Sequence, residues 1–96
     1  MENMPSSTAS ICWLDSSNNL HIRVYSTDGY TVTERCADGS GWTDGGLSVP
    51  GSAVSAVCWT VSDGTHIRVY ATFEDTTTEW CNDPETSGWV QGQYTV

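Results

Sequence analysis

The chain has 96 residues, the length of one ordinary domain, and carries three cations, all arginine, against twelve acidic residues for a net charge of −9. Phosphate backbones and anionic lipid surfaces repel such a protein, and no basic stripe offsets the repulsion, so nucleic acid is not an expected partner. Thr, Val, Trp and Tyr carry the apolar pattern and no window places apolar residues at i, i+3, i+4, i+7; the expected class is all-β.

The amino terminus, MENMPSSTAS, lacks a basic region followed by an apolar one, so no signal peptide is expected and nothing approaches a membrane-spanning length. A soluble protein follows, with cytoplasmic residence and export by another route both open. Strands are expected at about 9–15, 20–26, 30–36 and 41–48, with "VPGS" at 49–52 as a joint. A second set follows at about 54–61, 65–71, 76–82 and 88–94. Asp28-Gly29 reads as a two-residue hairpin turn, which places Arg23 directly opposite Glu34, on the face of His21, Tyr25, Val32 and Cys36. The matching turn around Phe73-Glu74 is less typical.

The two sets repeat each other. "HIRVY" is written at 21–25 and again at 66–70, and His21/His66, Arg23/Arg68, Glu34/Glu79 and Cys36/Cys81 are each 45 residues apart. The offset is 46 for Cys12/Cys58 and 47 for Trp42/Trp89. A period near 45 with four short strands is the size of a β-propeller blade, giving repeats at 9–49 and 53–96 within the single unit 1–96. Two blades leave two apolar faces wet, so identical chains must close a ring with an even number of blades. Size alone leaves a dimer, trimer or tetramer open.

Two of the three arginines occupy the same slot of the repeated word. One reading is a cross-strand ion pair worth about 0.2–1 kcal/mol. The other adds the Gly-Trp that follows each Glu strand, at Trp42 and Trp89. A carboxylate accepting from vicinal hydroxyls, a guanidinium donating to sugar oxygens and an indole against the C–H face make a sugar-binding set.

The "HIRVY", "TERC" and "GW" words at these spacings resemble the Aleuria aurantia lectin family of fucose-binding lectins, most of all its two-blade bacterial members of the Ralstonia and Burkholderia type. The resemblance covers nearly the whole chain from about residue 9. It implies a six-bladed propeller built by a homotrimer, with metal-independent fucose sites between adjacent blades. It also implies one site made by Arg23, Glu34 and Trp89 of one chain, and another by Arg68 and Glu79 with Trp42 of a neighbour. Backbone amides at Gly46 and Gln93 would approach the sugar. The family's second aromatic, three residues after the Glu, is replaced here by Ala37 and Asn82, so unequal or weakened sites are expected; Asn82 keeps a polar group and Ala37 keeps none.

Other readings weigh less. A glycosidase needs two carboxylates facing one sugar, and the further repeated acids, Asp38 and Asp83, read as turn formers. A purely structural assembly module stays as an alternative. "DGSGWTDGG" hints at a calcium loop, but the second repeat loses the ligand pattern, so neither metal nor cofactor is expected. His21 and His66 read as packed, hydrogen-bonded strand residues, and Trp13 and Trp59 as blade packing. Cys12, Cys36, Cys58 and Cys81 lie inside strand words without a Cys-x-x-Cys pair; reduced core thiols are favoured, with disulfides open.

Overall fold

The computed structural model of the chain describes residues 6–96, so residues 1–5 at the start of the terminus read above lie outside the described residues. Eight strands follow one another: β1 (Ser7–Leu14), β2 (Leu20–Thr27), β3 (Thr31–Ala37), β4 (Trp42–Pro50), β5 (Ala53–Val61), β6 (Gly64–Phe73), β7 (Thr76–Asn82) and β8 (Val90–Thr95). They form two four-stranded sheets in sequential order, β1-β2-β3-β4 and β5-β6-β7-β8, with every neighbouring pair antiparallel. The all-β expectation of two four-stranded blades holds, with strand ends displaced by one or two residues.

Alternation assigns the faces. On the first sheet Ile11, Arg23 and Cys36 stand in cross-strand register, as do Tyr25 with Glu34 and Thr27 with Val32, so all share one face. That face is turned toward the second sheet: Tyr25, Val32, Leu47 and Val49 bury against Ile67, Val69 and Ala71. Tyr25, Val32 and Val69 are wholly buried, as expected where two pleated faces interdigitate. The innermost strands meet through Ser7, whose hydroxyl accepts from the Val54 amide at 3.2 Å.

The opposite faces have no partner among the described residues. Leu14 and Leu20 are 55% and 50% exposed on the first sheet, and Val57 and Trp59 are 52% and 43% exposed on the second. Arg68, Tyr70 and Glu79 belong to that second open face, because Arg68 stands in register with Val57 and Tyr70 with Glu79.

The β2–β3 register differs from the expectation. Arg23 lies opposite Cys36, and Glu34 lies opposite Tyr25, two residues from the predicted pairing. The cause is Asp28, whose carboxylate accepts from the amides of Tyr30 and Thr31 at 2.9 and 3.0 Å. That local turn widens the hairpin, which closes at the Thr27–Val32 pair instead of around Asp28-Gly29. A slip of two residues keeps every side chain on its face. The tight two-residue turn is in the other repeat, at Glu74-Asp75, where both residues have positive φ (49° and 69°) between Phe73 and Thr76.

The thiols are all free: Cys36 and Cys81 are buried, Cys58 is half-buried, and Cys12 is exposed on the open face of the first sheet. Cys12 therefore departs from the expectation of a core thiol, because the face it occupies is uncovered in a single chain.

Candidate functional site

Glu34 is the centre of the first site and is 5% exposed. A bulge in β4 and a hydroxyl from β2 make a buried carboxylate tenable there. Opposite Glu34 the β3–β4 ladder slips: Thr33 pairs with Ser48 but Arg35 with Asp44, so β4 bulges through Gly45, Gly46 and Leu47. The bulge turns the Gly46 amide onto Glu34 Oε1 at 3.0 Å. It also brings the backbone so close that a Cβ at Gly45 would lie 2.1 Å from Oε1, which is why glycine stands there. From β2, the Tyr25 hydroxyl donates to Oε2 at 2.8 Å. Burial and the nearby Glu34 charge push the Tyr25 hydroxyl pKa far above its ordinary value, so it stays a donor.

The second sheet completes this arrangement. Trp89, in the β7–β8 connection, donates its indole N–H to Glu34 Oε1 at 3.4 Å and stands edge-on to Tyr25, with ring centroids 6.0 Å apart. Trp89 Cδ1 also lies over the Gly46 backbone, 3.8 Å from where a Cβ would be. Arg23 Nε is 3.9 Å from Glu34 Oε2. Arg23, Glu34 and Trp89 therefore meet at the seam between the sheets. Asn82 stands in register with Ile67, on the face of the second sheet that is turned toward that seam. Ala37, in register with Ile22, belongs to the open face of the first sheet.

The second repeat builds the same half-site on its open face. The β7–β8 ladder slips identically, between Thr78–Thr95 and Trp80–Gln91. A Cβ at Gly92 would lie 2.1 Å from Glu79 Oε1. Tyr70 donates to Glu79 Oε2 at 2.8 Å, and the Tyr94 amide reaches Oε1 at 3.3 Å. Glu79 is held below its ordinary pKa, first by the Tyr70 hydroxyl and then by backbone amides, that of Gln93 among them, and by the charge of Arg68. Tyr94 stands where the first repeat has Leu47, edge-on to Tyr70 at 6.0 Å. Trp42 is half exposed at the edge of the first sheet.

Asp38 and Asp83 do stand at turns, the Asp83 carbonyl accepting from the Thr86 amide at 3.0 Å, but their carboxylates have a further role. Asp38 Oδ1 accepts from Arg23 Nη1 at 2.8 Å and is 2.6 Å from His21 Nδ1. Asp83 Oδ1 accepts from Arg68 Nη1 at 2.7 Å and is 2.6 Å from His66 Nδ1. The outer imidazole nitrogens meet Asp15 Oδ2 at 2.9 Å and Asp63 Oδ1 at 3.0 Å. Each imidazole stacks on the indole of its repeat, Trp13 or Trp59, and each guanidinium lies 4.9 Å from that same ring. Trp13 and Trp59 thus carry the arginines as well as packing. The Gly46 amide, expected to approach a sugar, is directed at Glu34 instead. Sequence reasoning missed Tyr25, Tyr70, Gly45 and Gly92; their repetition at equivalent positions was the available signal.

Chemically, each repeat offers a fixed acceptor pair and a fixed cation, and the Glu34 site adds the Trp89 indole. The second acid is already shared between arginine and histidine, so it does not stand free across from Glu34 as a glycosidase pair would.

Comparison with known proteins agrees with this chemistry. The sequence model of a family described as fungal fucose-specific lectin matches residues 2–96. Among solved structures, the chain is similar to a mutant of Aleuria aurantia lectin in complex with alpha-methyl-L-fucoside, at 30% identity and a TM-score of 0.72. That match covers 93% of this chain, which spans only 30% of the length of the solved one. No curated protein sequence matches the chain.

Proposed function

The chain belongs to the family of fungal fucose-specific lectins, and from that premise we propose that it binds L-fucose and fucosylated glycans at sites between neighbouring blades. One site uses Arg23, Glu34, Trp89 and Asn82 of a single chain. The other uses Arg68 and Glu79 of one chain with Trp42 of the next. The observation that carries the reading is the meeting of Glu34, Arg23 and Trp89 across the sheet-to-sheet seam. A carboxylate and a guanidinium address the hydroxyl edge of a sugar, and an indole beside them suits its apolar face. Binding on this reading needs no metal, because both charges are supplied by side chains.

The assembly that fits is a homotrimer forming a six-bladed ring. Its support is the pair of open faces. One carries Arg68, Glu79 and the exposed Val57 and Trp59; the other carries Leu14, Leu20 and Ala37. Repeating the seam inside the chain between chains would cover both and add Trp42 to the second half-site. Several sites on one ring raise avidity on a glycan-dense surface by about 10²–10⁴ when spacings match. A glycan array, followed by calorimetric titration of alpha-methyl-L-fucoside with and without chelator, tests the reading. Binding to fucosylated glycans that chelator leaves unchanged is expected; a blank array would overturn it.

A further inference from the structure

We propose that Asp38 and Asp83 are positioning residues for the sugar-binding arginines, and that His21 and His66, while doubly protonated, lock those aspartates, so that sugar affinity falls as the imidazolium loses its proton. The inference rests on the sugar-binding reading above.

The geometry is present twice. In each repeat one Asp oxygen takes both an arginine Nη1 and a histidine Nδ1, at 2.8 and 2.6 Å for Asp38 and 2.7 and 2.6 Å for Asp83. The same Nη1 also donates to the carbonyl of the preceding residue, Ile22 at 3.0 Å or Ile67 at 2.9 Å. With the indole face 4.9 Å away, that end of the guanidinium is fixed on three sides. The orientation of the end facing Glu34 and the sugar then depends on where the aspartate stands.

The aspartate in turn depends on the imidazole, which is bracketed by two carboxylates. An imidazolium donates one N–H to each. A neutral imidazole has one N–H, so its bare lone pair would face the other carboxylate at 3.0 Å or less. One contact must open, and the clamp loosens. Asp15 from the β1–β2 connection and Asp38 beyond β3 face His21 directly, and Arg23, which shares Asp38 with it, has Glu34 and Cys36 of β3 as its own neighbours. Asp63 and Asp83 face His66 in the same way, and Arg68, which shares Asp83 with it, has Glu79 and Cys81 as its own neighbours. Two carboxylates in direct contact outweigh the one arginine nearby. His21 is accordingly held above its ordinary 6.5, first by Asp15 and then by Asp38, and His66 by Asp63 and then Asp83. A structural ion cluster alone would hold the fold without changing how the sugar is bound.

The experiment is calorimetric titration of alpha-methyl-L-fucoside from about pH 5.5 to about pH 9, paired with NMR titration of the histidine rings in sugar-free protein. The parent should lose roughly tenfold in affinity across that range, the equivalent of one charge-assisted contact. Replacing both histidines, His21→Gln with His66→Gln, should flatten the profile. Asp38→Ala with Asp83→Ala should weaken binding by about 10–100-fold, and the corresponding Asp→Asn pair should recover part of the loss. The ring titrations should move to lower pH in the Asn pair, a readout that needs no sugar. A flat profile in the parent, ring titrations unmoved by Asp→Asn, or Ala variants binding like the parent would each overturn the inference. If the rings respond as expected but the parent binds no fucoside at any pH, the sugar reading fails instead, and the clamp is purely structural.

Discussion

Trp89, in the β7–β8 connection of the second blade, and Glu34, on β3 of the first, are 55 residues apart, yet the indole N–H of one points at Oε1 of the other across 3.4 Å. The contact joins an otherwise single-blade carboxylate to an aromatic that only the neighbouring blade can provide. Trp89→Phe keeps a ring against Tyr25 and removes the donor, and should weaken fucose binding at that site by roughly three- to tenfold. Trp89→Ala should abolish binding there. Calorimetry in an Arg68→Ala background, which silences the other site, isolates the effect; unchanged affinity in Trp89→Ala would place the sugar elsewhere.

The arginines separate binding from architecture. Arg23→Ala with Arg68→Ala should eliminate fucose binding while the assembly keeps its mass, since each guanidinium contacts its own sheet and not the interior of the core. The single variants rank the sites. Asn82 offers a donor and an acceptor where Ala37 offers neither, so Arg23→Ala should lose the tighter site, by roughly three- to tenfold. A greater loss in Arg68→Ala would reverse the ranking.

Val57 and Trp59 on one face and Leu14 and Leu20 on the other call for cover by further chains, and on the proposed six-bladed ring the solution mass should correspond to three. On that ring Trp59→Glu would place a charge between chains and should shift the mass toward one chain. A folded single chain in the parent would refute the ring; four chains would change only its size.

Gly45→Ala should hardly touch the sheet and yet disable the site. The new methyl would sit 2.1 Å from Glu34 Oε1, so the carboxylate must leave its bulge. A loss of about 1–3 kcal/mol in stability is expected, as for other overpacked positions, together with loss of binding at the Arg23 site. Denaturant melts and titration of the same sample check both. Retained binding would mean that Glu34 tolerates a second position.

Stability should peak between about pH 5 and pH 6. Asp15, held near pKa about 2 first by His21, and Asp38 and Asp83, lowered first by their arginines, have depressed pKa values. Their contribution is present above the ordinary carboxylate range and is lost as pH falls toward the folded values. His21 and His66 have raised pKa values, so theirs is complete below 6.5 and is lost as pH rises through the folded value. Amplitudes should be modest because most of these groups meet solvent. Thermal melts across pH measure it, and stability still rising beyond about pH 7 would contradict the assignment.

The fold was legible in the sequence because a blade repeats. The 45-residue period, the strand alternation and the turn residues each specify local geometry, and together they fixed two four-stranded meanders and the common face of Arg23, Tyr25 and Glu34. Register within the hairpin was not legible, since Asp28 can close either a two-residue turn or the wider one it adopts by capping Tyr30 and Thr31. Nor was the role of Asp38 and Asp83. An Asp beside Gly or Pro is a turn former on local grounds, and only the packing of β2 against the end of β3 delivers it to an arginine and a histidine. The bulges opposite Glu34 and Glu79 likewise arise from two strands of different length between matched ends, which no single strand encodes. Sequence determined which chemical groups exist and which face they share. The tertiary structure decided which oxygen meets which nitrogen, because hydrogen bonds demand ångström-scale placement and periodicity sets only a side and a spacing.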